Sequence, residues 1–156
     1  MRDLLLFLHY LGFALWIGGA LAAMALRMGS RKEGPATEAA VARLLSSVHI
    51  FIVAPGALLT LGSGFGIAFN HMSHGNSDIL GAASMSAMMG AGTLGALLVL
   101  FVGMPTAQKI AALAQVNDAG QFPPVFARLR RRQAIVQTVS GVLALTALWC
   151  GALWRP

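Results

Sequence analysis

The first apolar stretch of the chain constrains the fold more than any other feature. It runs from Leu4 to Leu26 without a charged side chain and contains one histidine, His9. At ~1.5 Å of rise per residue, a helix over this stretch exceeds the ~30 Å hydrocarbon core of a bilayer. The stretch therefore predicts a membrane-spanning helix. It is too long for the apolar region of a signal peptide, so we expect it to be retained.

The overall composition also indicates a membrane protein. Of the 156 residues, 57% are hydrophobic and only 10% are charged, whereas a soluble domain has about 25% charged residues. The formal net charge of +6 does not indicate nucleic-acid binding, because the basic residues separate apolar stretches and form no patch interleaved with aromatic side chains. We expect a small integral membrane protein with no nucleic-acid partner.

The apolar pattern predicts a single transmembrane domain over residues 1–156. Its four spans are residues 4–26, 44–70, 79–104 and 134–154. In the first link Gly34 and Pro35 signal a turn, and Thr37 is the expected helix cap. We expect the second span to bend by more than ~20° at Pro55, whose ring disrupts the hydrogen bond to the carbonyl of Phe51. Thr60, a water or a neighbouring helix is the expected partner of that carbonyl.

The distribution of basic residues predicts the orientation. The first and third links contain nine of the eleven basic residues, and the second link, residues 70–78, contains none. By the positive-inside rule the two basic links face the cytoplasm and both termini face the outer, periplasmic side. The predicted fold is an all-α, antiparallel four-helix bundle in a bacterial inner membrane. The nine basic residues are Arg27, Arg31, Lys32, Arg43, Lys109, Arg128, Arg130, Arg131 and Arg132.

Stripes of small residues indicate where the helices pack. In the third span a small residue recurs at every fourth position, which permits close contact between helix backbones in lipid. We expect this stripe to be buried against another helix of the bundle or of a partner. The methionines of the same span are expected to serve packing more often than metal binding. The stripe consists of Ala83, Ala87, Ala91 and Gly95, and the inward stripe of the fourth span of Gln133, Gln137, Ser140, Gly141 and Ala144.

His9 is the first candidate for a functional residue. Helical periodicity places it on one face with Gly12, Phe13, Trp16 and Gly19 or Ala20. An ionisable side chain in a membrane span is costly, and it usually faces protein and serves a function. The alternative is a neutral imidazole that is hydrogen-bonded to a neighbouring helix. Both interpretations are open at the level of sequence.

The predicted topology decides which histidines can act together. His71 and His74 lie on the same side of the membrane as His9, whereas His49 lies in the opposite leaflet. His9 with His71 or His74 can therefore form an outer metal site, since histidines three residues apart share one helix face. The alternative is a solvated loop. Further donors nearby are Met72 and Asp78.

Four arginines precede the fourth span. Each basic residue close to an anionic leaflet contributes about 1 kcal/mol of binding free energy. We expect this face to bind anionic lipid, unless the arginines serve only to fix the topology. They are Arg128, Arg130, Arg131 and Arg132.

The residues around His9 resemble a known group of proteins. The run from Leu8 to Gly19, LHYLGFALWIGG, with His9 seven residues before Trp16, resembles the opening helix of CopD-like copper-resistance membrane proteins. It is also similar to HemJ-type protoporphyrinogen oxidases and their small membrane relatives. The segment from Pro55 to Thr60, PGALLT, extends the resemblance. The resemblance implies that haem b or copper is bound at His9, near Trp16. HemJ-type enzymes carry a lysine early in the third helix, and residues 79–89 contain none, so oxidase activity is not expected.

Two functions of different class follow. The first is a haem- or copper-binding membrane protein with a redox or cofactor-handling role, in which an imidazole held by the bundle is the axial donor or metal ligand. The second is a non-catalytic accessory subunit that packs against other membrane subunits or against copies of itself.

The topology is directly testable. An alkaline phosphatase reporter fused at Gly75 should be active, because this link is predicted to face the periplasm, and a fusion at Gly34 should be inactive. The enzyme activity of whole cells measures both. An inactive Gly75 fusion would contradict the charge argument and the grouping of His9 with His71.

Overall fold

The protein is all-helical in the residues that the computed structural model describes, which are 2–30, 32–73, 83–117 and 120–153. The four helices are each long and apolar enough to cross a membrane. The predicted all-α class is confirmed, and the described residues form the predicted number of helices that are long and apolar enough to span a membrane. The helices are α1 (Arg2–Ser30), α2 (Pro35–Ser73), α3 (Ala83–Ala112) and α4 (Pro124–Leu153).

The helices extend beyond the predicted apolar spans at the end of the bundle where Arg27 and Arg130 lie, called the arginine end below. The helix α2 begins at Pro35, and its N-cap is Gly34 with a φ of 98°. Thr37 therefore lies inside the helix, and its prediction as the cap was wrong. Proline suits a first helical position because its missing N–H would have no partner there.

The helices α1 and α2 pack antiparallel through two glycines. A Cβ added to Gly12 would lie 2.6 Å from the backbone nitrogen of Thr60, and one added to Gly56 would lie 2.6 Å from the backbone nitrogen of Trp16. The two backbones are therefore in direct contact at this level. The same pairing continues to Gly66, which packs against Leu5 at the opposite end of the bundle, called the His9 end.

Trp16 joins α1 to the other helix pair. Its ring is 1% exposed, and a Cβ added to Gly95 of α3 would lie 3.0 Å from it. Its Nε1 donates a hydrogen bond of 3.3 Å to Oγ of Ser140 in α4. Trp16 thus contacts all three other helices. The predicted buried stripe of α1 is confirmed, with Gly12, Phe13 and Gly19 also buried.

The helix α4 turns its small and polar stripe inward as predicted. Gln133, Ser140 and Ala144 are buried, and Gln137 and Gly141 are partly buried. It packs antiparallel to α3, since a Cβ on Gly92 would meet Ala147 and one on Gly95 would meet Leu143.

The small-residue stripe of α3 is only partly used inside the chain. Gly95 is buried and Ala91 is partly buried, whereas Ala83 and Ala87 are exposed. The buried face of α3 instead includes Met85, with 6% exposure. Contact between the exposed half of the stripe and a partner helix stays a prediction.

Two π-helical turns interrupt the long helices. One spans His49–Val53 in α2 and the other Leu98–Gly103 in α3. Each ends two residues before a proline, Pro55 or Pro105. A π turn accommodates one extra residue, and such turns occur often at functional sites. In both helices the proline therefore follows a turn whose backbone hydrogen bonds already differ from those of a regular α-helix.

The π turn accounts for part of the hydrogen bonding before Pro55. The amide of Ala54 donates to the carbonyl of His49, five residues earlier. The hydroxyl of Thr60 donates to the carbonyl of Gly56 at 2.9 Å, so Thr60 was wrongly predicted as a partner of Phe51. The predicted bend of more than ~20° stays a prediction.

Replacement of Gly56 by alanine should weaken the bundle. The added methyl group would contact backbone atoms of α1, and overpacking of this kind costs ~1–3 kcal/mol of unfolding free energy. Gly62→Ala is the matched control, because no atom lies within 4 Å of its added Cβ. This control should be neutral or stabilising by about 0.5–1 kcal/mol. Thermal unfolding in detergent, followed by circular dichroism, measures both. Equal stability of the two variants would contradict the close contact.

Candidate functional site

A cavity of about 260 Å³ lies between the four helices at the His9 end. Its walls are largely apolar, and its side chains come from α1, α2, α3 and α4. The residues with donor atoms that line it are His9, Tyr10, Thr60, His71, Met85, Met88, Met89 and Thr93.

His9 is held by the backbone of α2. Its Nδ1 lies 2.9 Å from the carbonyl oxygen of Thr60 and 3.1 Å from Oγ of Ser63. A carbonyl can only accept a hydrogen bond, so Nδ1 carries the proton and donates it to Thr60. The other ring nitrogen, Nε2, then has a free lone pair. An imidazole that ligates a metal usually donates its second nitrogen to a carbonyl or carboxylate in this way.

Two further contacts fix the plane of the His9 ring. The ring of Phe13 meets it edge to face, with centroids 5.1 Å apart and an interplanar angle of 89°. On the other helix, a Cβ added to Gly64 would lie 3.0 Å from Cε1 of His9. The glycine therefore gives the imidazole room against α2. The orientation of the ring follows from packing as well as from the hydrogen bond.

Ser63 supports the same arrangement from α2. It is 5% exposed, and its hydroxyl donates back to the carbonyl of Leu59 in its own helix. Its oxygen can therefore accept from Nδ1 of His9 while it satisfies its own proton. This bond and that of Thr60 to Gly56 keep two hydroxyls paired beside the cavity.

The structure brings His71 to the cavity of His9, as the topology predicted. His74 and Asp78 lie outside the described residues, and Met72 is 49% exposed and does not line the cavity. Within the described ranges no group of three or more His, Cys, Asp or Glu side chains could hold a metal ion. An ion at His9 would therefore need the methionine sulfurs as additional ligands.

A role for Trp16 in cofactor binding, which the resemblance implies, stays a prediction. Trp16 lies in the core, stacked on the cavity residue Phe13 with a centroid distance of 6.2 Å, and does not itself line the cavity. Its position between three helices gives it a packing role.

His49 lies away from His9, as expected from the predicted topology. Its ring packs against the second π turn, where a Cβ on Gly103 would lie 2.8 Å from Nε2. The ring is 2% exposed, and neither nitrogen has a partner in hydrogen-bonding geometry within the part of the chain that the structure describes. It does not line the cavity of His9.

Several site residues were not recognised in the sequence. Gly56, Thr60, Ser63 and Gly64 follow one another at spacings of three or four, so they share one face of α2. This small and polar face opposite an intramembrane histidine was the available signal. The methionines Met85, Met88 and Met89, which are expected mainly to serve packing, all line the cavity.

Comparison with known proteins gave no match to a family model, to a curated protein or to a solved structure. The chemistry of the site must therefore be read from its own donors. An imidazole nitrogen with methionine thioethers is a soft ligand set, and such sets select Cu(I) among the biological metal ions.

The geometry predicts the tautomer of His9. In the purified protein at neutral pH, Nδ1 should be protonated and Nε2 unprotonated, because only this form donates to the Thr60 carbonyl. Nitrogen-15 NMR of histidine-labelled protein measures it, with His9→Gln to assign the signal. A signal from His9 with the proton on Nε2 would contradict the arrangement.

Proposed function

We propose that this protein is a multi-pass membrane protein of the bacterial inner membrane, with both termini on the periplasmic side, that binds Cu(I) through His9. The observation that supports the proposal most directly is the 2.9 Å contact between Nδ1 of His9 and the Thr60 carbonyl. It leaves the Nε2 lone pair for a ligand beside a cavity lined by three methionines.

The fit of the residues to copper rests on the type of donor. Thioether sulfur and neutral imidazole suit Cu(I), whereas the hard cations prefer carboxylate, carbonyl and water oxygens. The walls of the cavity contain no carboxylate among the described residues that line it. His9 would be the principal ligand, with His71, Met85, Met88 and Met89 as the available further ligands.

The surrounding residues have separate roles. Thr60 and Ser63 orient the imidazole, and Phe13 restricts its rotation. The apolar walls contributed by residues such as Leu6, Ile67 and Leu148 limit the access of water. A bound copper ion would supply a one-electron redox couple, whose potential depends on the ligands and on the polarity of this surrounding.

Haem b is the second candidate, because an imidazole is also an axial ligand of haem iron. The cavity volume of about 260 Å³ is below the ~300–1,000 Å³ that pockets for small organic ligands occupy. A macrocycle would therefore have to extend through the opening of the cavity, whereas a metal ion would lie within it.

Titration of the purified protein with Cu(I), in competition with a chromophoric chelator, tests the proposal. The wild type should bind the ion. His9→Ala should lower the affinity by more than ~100-fold, and Ser63→Ala by about tenfold, as for other residues that orient a metal-bound histidine. The thiol of Cys150 is excluded as the source of binding by repeating the titration with Cys150→Ser.

Methionine variants provide a matched comparison. Met88→Leu conserves volume and removes a sulfur from the cavity, so it should weaken Cu(I) binding. Met24→Leu is the control, since Met24 is 57% exposed on α1 and does not line the cavity.

The outcomes separate the candidate functions. A Soret band in the protein as purified, lost in His9→Ala, would overturn copper in favour of haem b. If the protein binds neither copper nor haem, the proposal is overturned and the accessory subunit is favoured. The exposed Ala83 and Ala87 provide a packing surface for that role.

A further inference from the structure

A second cavity lies at the arginine end of the bundle and shares no residue with the cavity of His9. Its volume is about 30 Å³, more than the ~10–15 Å³ that one buried water needs. Polar side chains from α1, α2 and α4 surround it. They include Arg27, Glu38, Ser46, Arg130, Gln133 and Gln137.

Gln133 points to a ligand in this cavity. Its side chain is 1% exposed, and neither Nε2 nor Oε1 has a hydrogen-bond partner among the described residues. A buried amide without partners is destabilising, and nearly all such groups in folded proteins are paired with protein, water or a bound molecule. A molecule that accepts from Nε2 of Gln133 or donates to its Oε1 is therefore expected in the cavity.

The charges of the lining indicate the sign of that molecule. Glu38 forms an ion pair with Arg130, whose guanidinium also lies 5.6 Å from the centre of the Phe126 ring. Arg27 contributes a second guanidinium, so the lining contains two arginines and one glutamate. A lining that contains more basic than acidic groups favours an anionic ligand.

We propose that this cavity binds an oxyanion of the phosphate class, supplied either by the headgroup of an anionic lipid or by free phosphate. Guanidinium groups and amide N–H groups are strong donors to phosphate oxygens, and arginine matches their geometry with two parallel bonds. The cavity takes one or two oxygens, and the rest of the group lies at its opening. A water that enters with the anion donates to Oε1 of Gln133.

The site differs from a general basic face. Arg128, Arg131 and Arg132 are exposed and do not line the cavity. The expectation of lipid binding by four arginines thus separates into one arginine at a built site and three on the surface. The site is independent of copper binding at His9 and requires only that the arginine end meets a membrane leaflet or the cytoplasm.

The experiment uses the full chain in detergent. Native mass spectrometry counts retained phosphatidylglycerol, with phosphatidylcholine as the reference lipid, and calorimetry measures the binding of inorganic phosphate. Arg27→Gln should lower the affinity by about tenfold or more, as for loss of a charge-assisted hydrogen bond. Arg131→Gln is the control, because it removes the same charge from an exposed position.

Gln133→Leu is the second variant, and it separates binding from folding. It replaces an unpartnered amide by an apolar group of similar size, so the protein should fold with equal or higher stability while phosphate binding weakens. Retention of lipid that inorganic phosphate does not displace identifies the headgroup as the source, and binding of inorganic phosphate alone identifies the free ion. Equal losses in Arg27→Gln and Arg131→Gln, or full binding by Gln133→Leu, would overturn the site.

Discussion

The backbone contact between Gly12 and Gly56 is the constraint on which the rest of the structure depends. Helices in lipid gain little from hydrophobicity alone and associate where small residues allow close approach. Here the missing side chains bring α1 within reach of the Thr60 amide and bring α2 against the Trp16 amide. The same approach carries Trp16 to Ser140 of α4. One pair of glycines therefore sets the separation of α1 and α2 and the position of the residue that joins them to α3 and α4.

The candidate metal site is a consequence of this contact. The imidazole of His9 lies close to the Gly12 contact, so it reaches the carbonyl of Thr60 only because the two backbones are close. Gly64 then gives the ring its space, and Ser63 gives it a second acceptor. The same face of α2 therefore packs against α1 and positions the imidazole of His9. A wider helix pair would keep the histidine but would lose the hydrogen bond that fixes its tautomer.

Periodicity predicted the parts of the fold that depend on one clear stripe. The buried face of α1 and the inward face of α4 follow from small and polar residues at helical spacing. The buried face of α3 could not be chosen in this way, because almost every side chain around that helix is apolar or small. Met85 competed with Ala87 for the interior, and only the tertiary contacts decide between them. The N-cap of α2 was wrongly predicted for a local reason, because Pro35 takes the first helical position and the helix therefore begins before Thr37. The hydrogen bond of Trp16 to Ser140 could not be predicted, since the two residues are 124 positions apart.

The two π turns carry a consequence for how this chain can vary. Each contains one residue more than a regular helix needs, and one residue corresponds to ~100° of rotation about the helix axis. In α2 the turn lies between the face that packs His49 on Gly103 and the face that packs Gly56 on Trp16. The π turn absorbs this rotation, so deletion of a single residue between His49 and Val53 would leave a continuous α-helix whose two halves keep about the same relative orientation. The same deletion in a regular part of α2 would turn the residues on its two sides by ~100° relative to each other, so length is less restricted at the π turn than elsewhere in the helix.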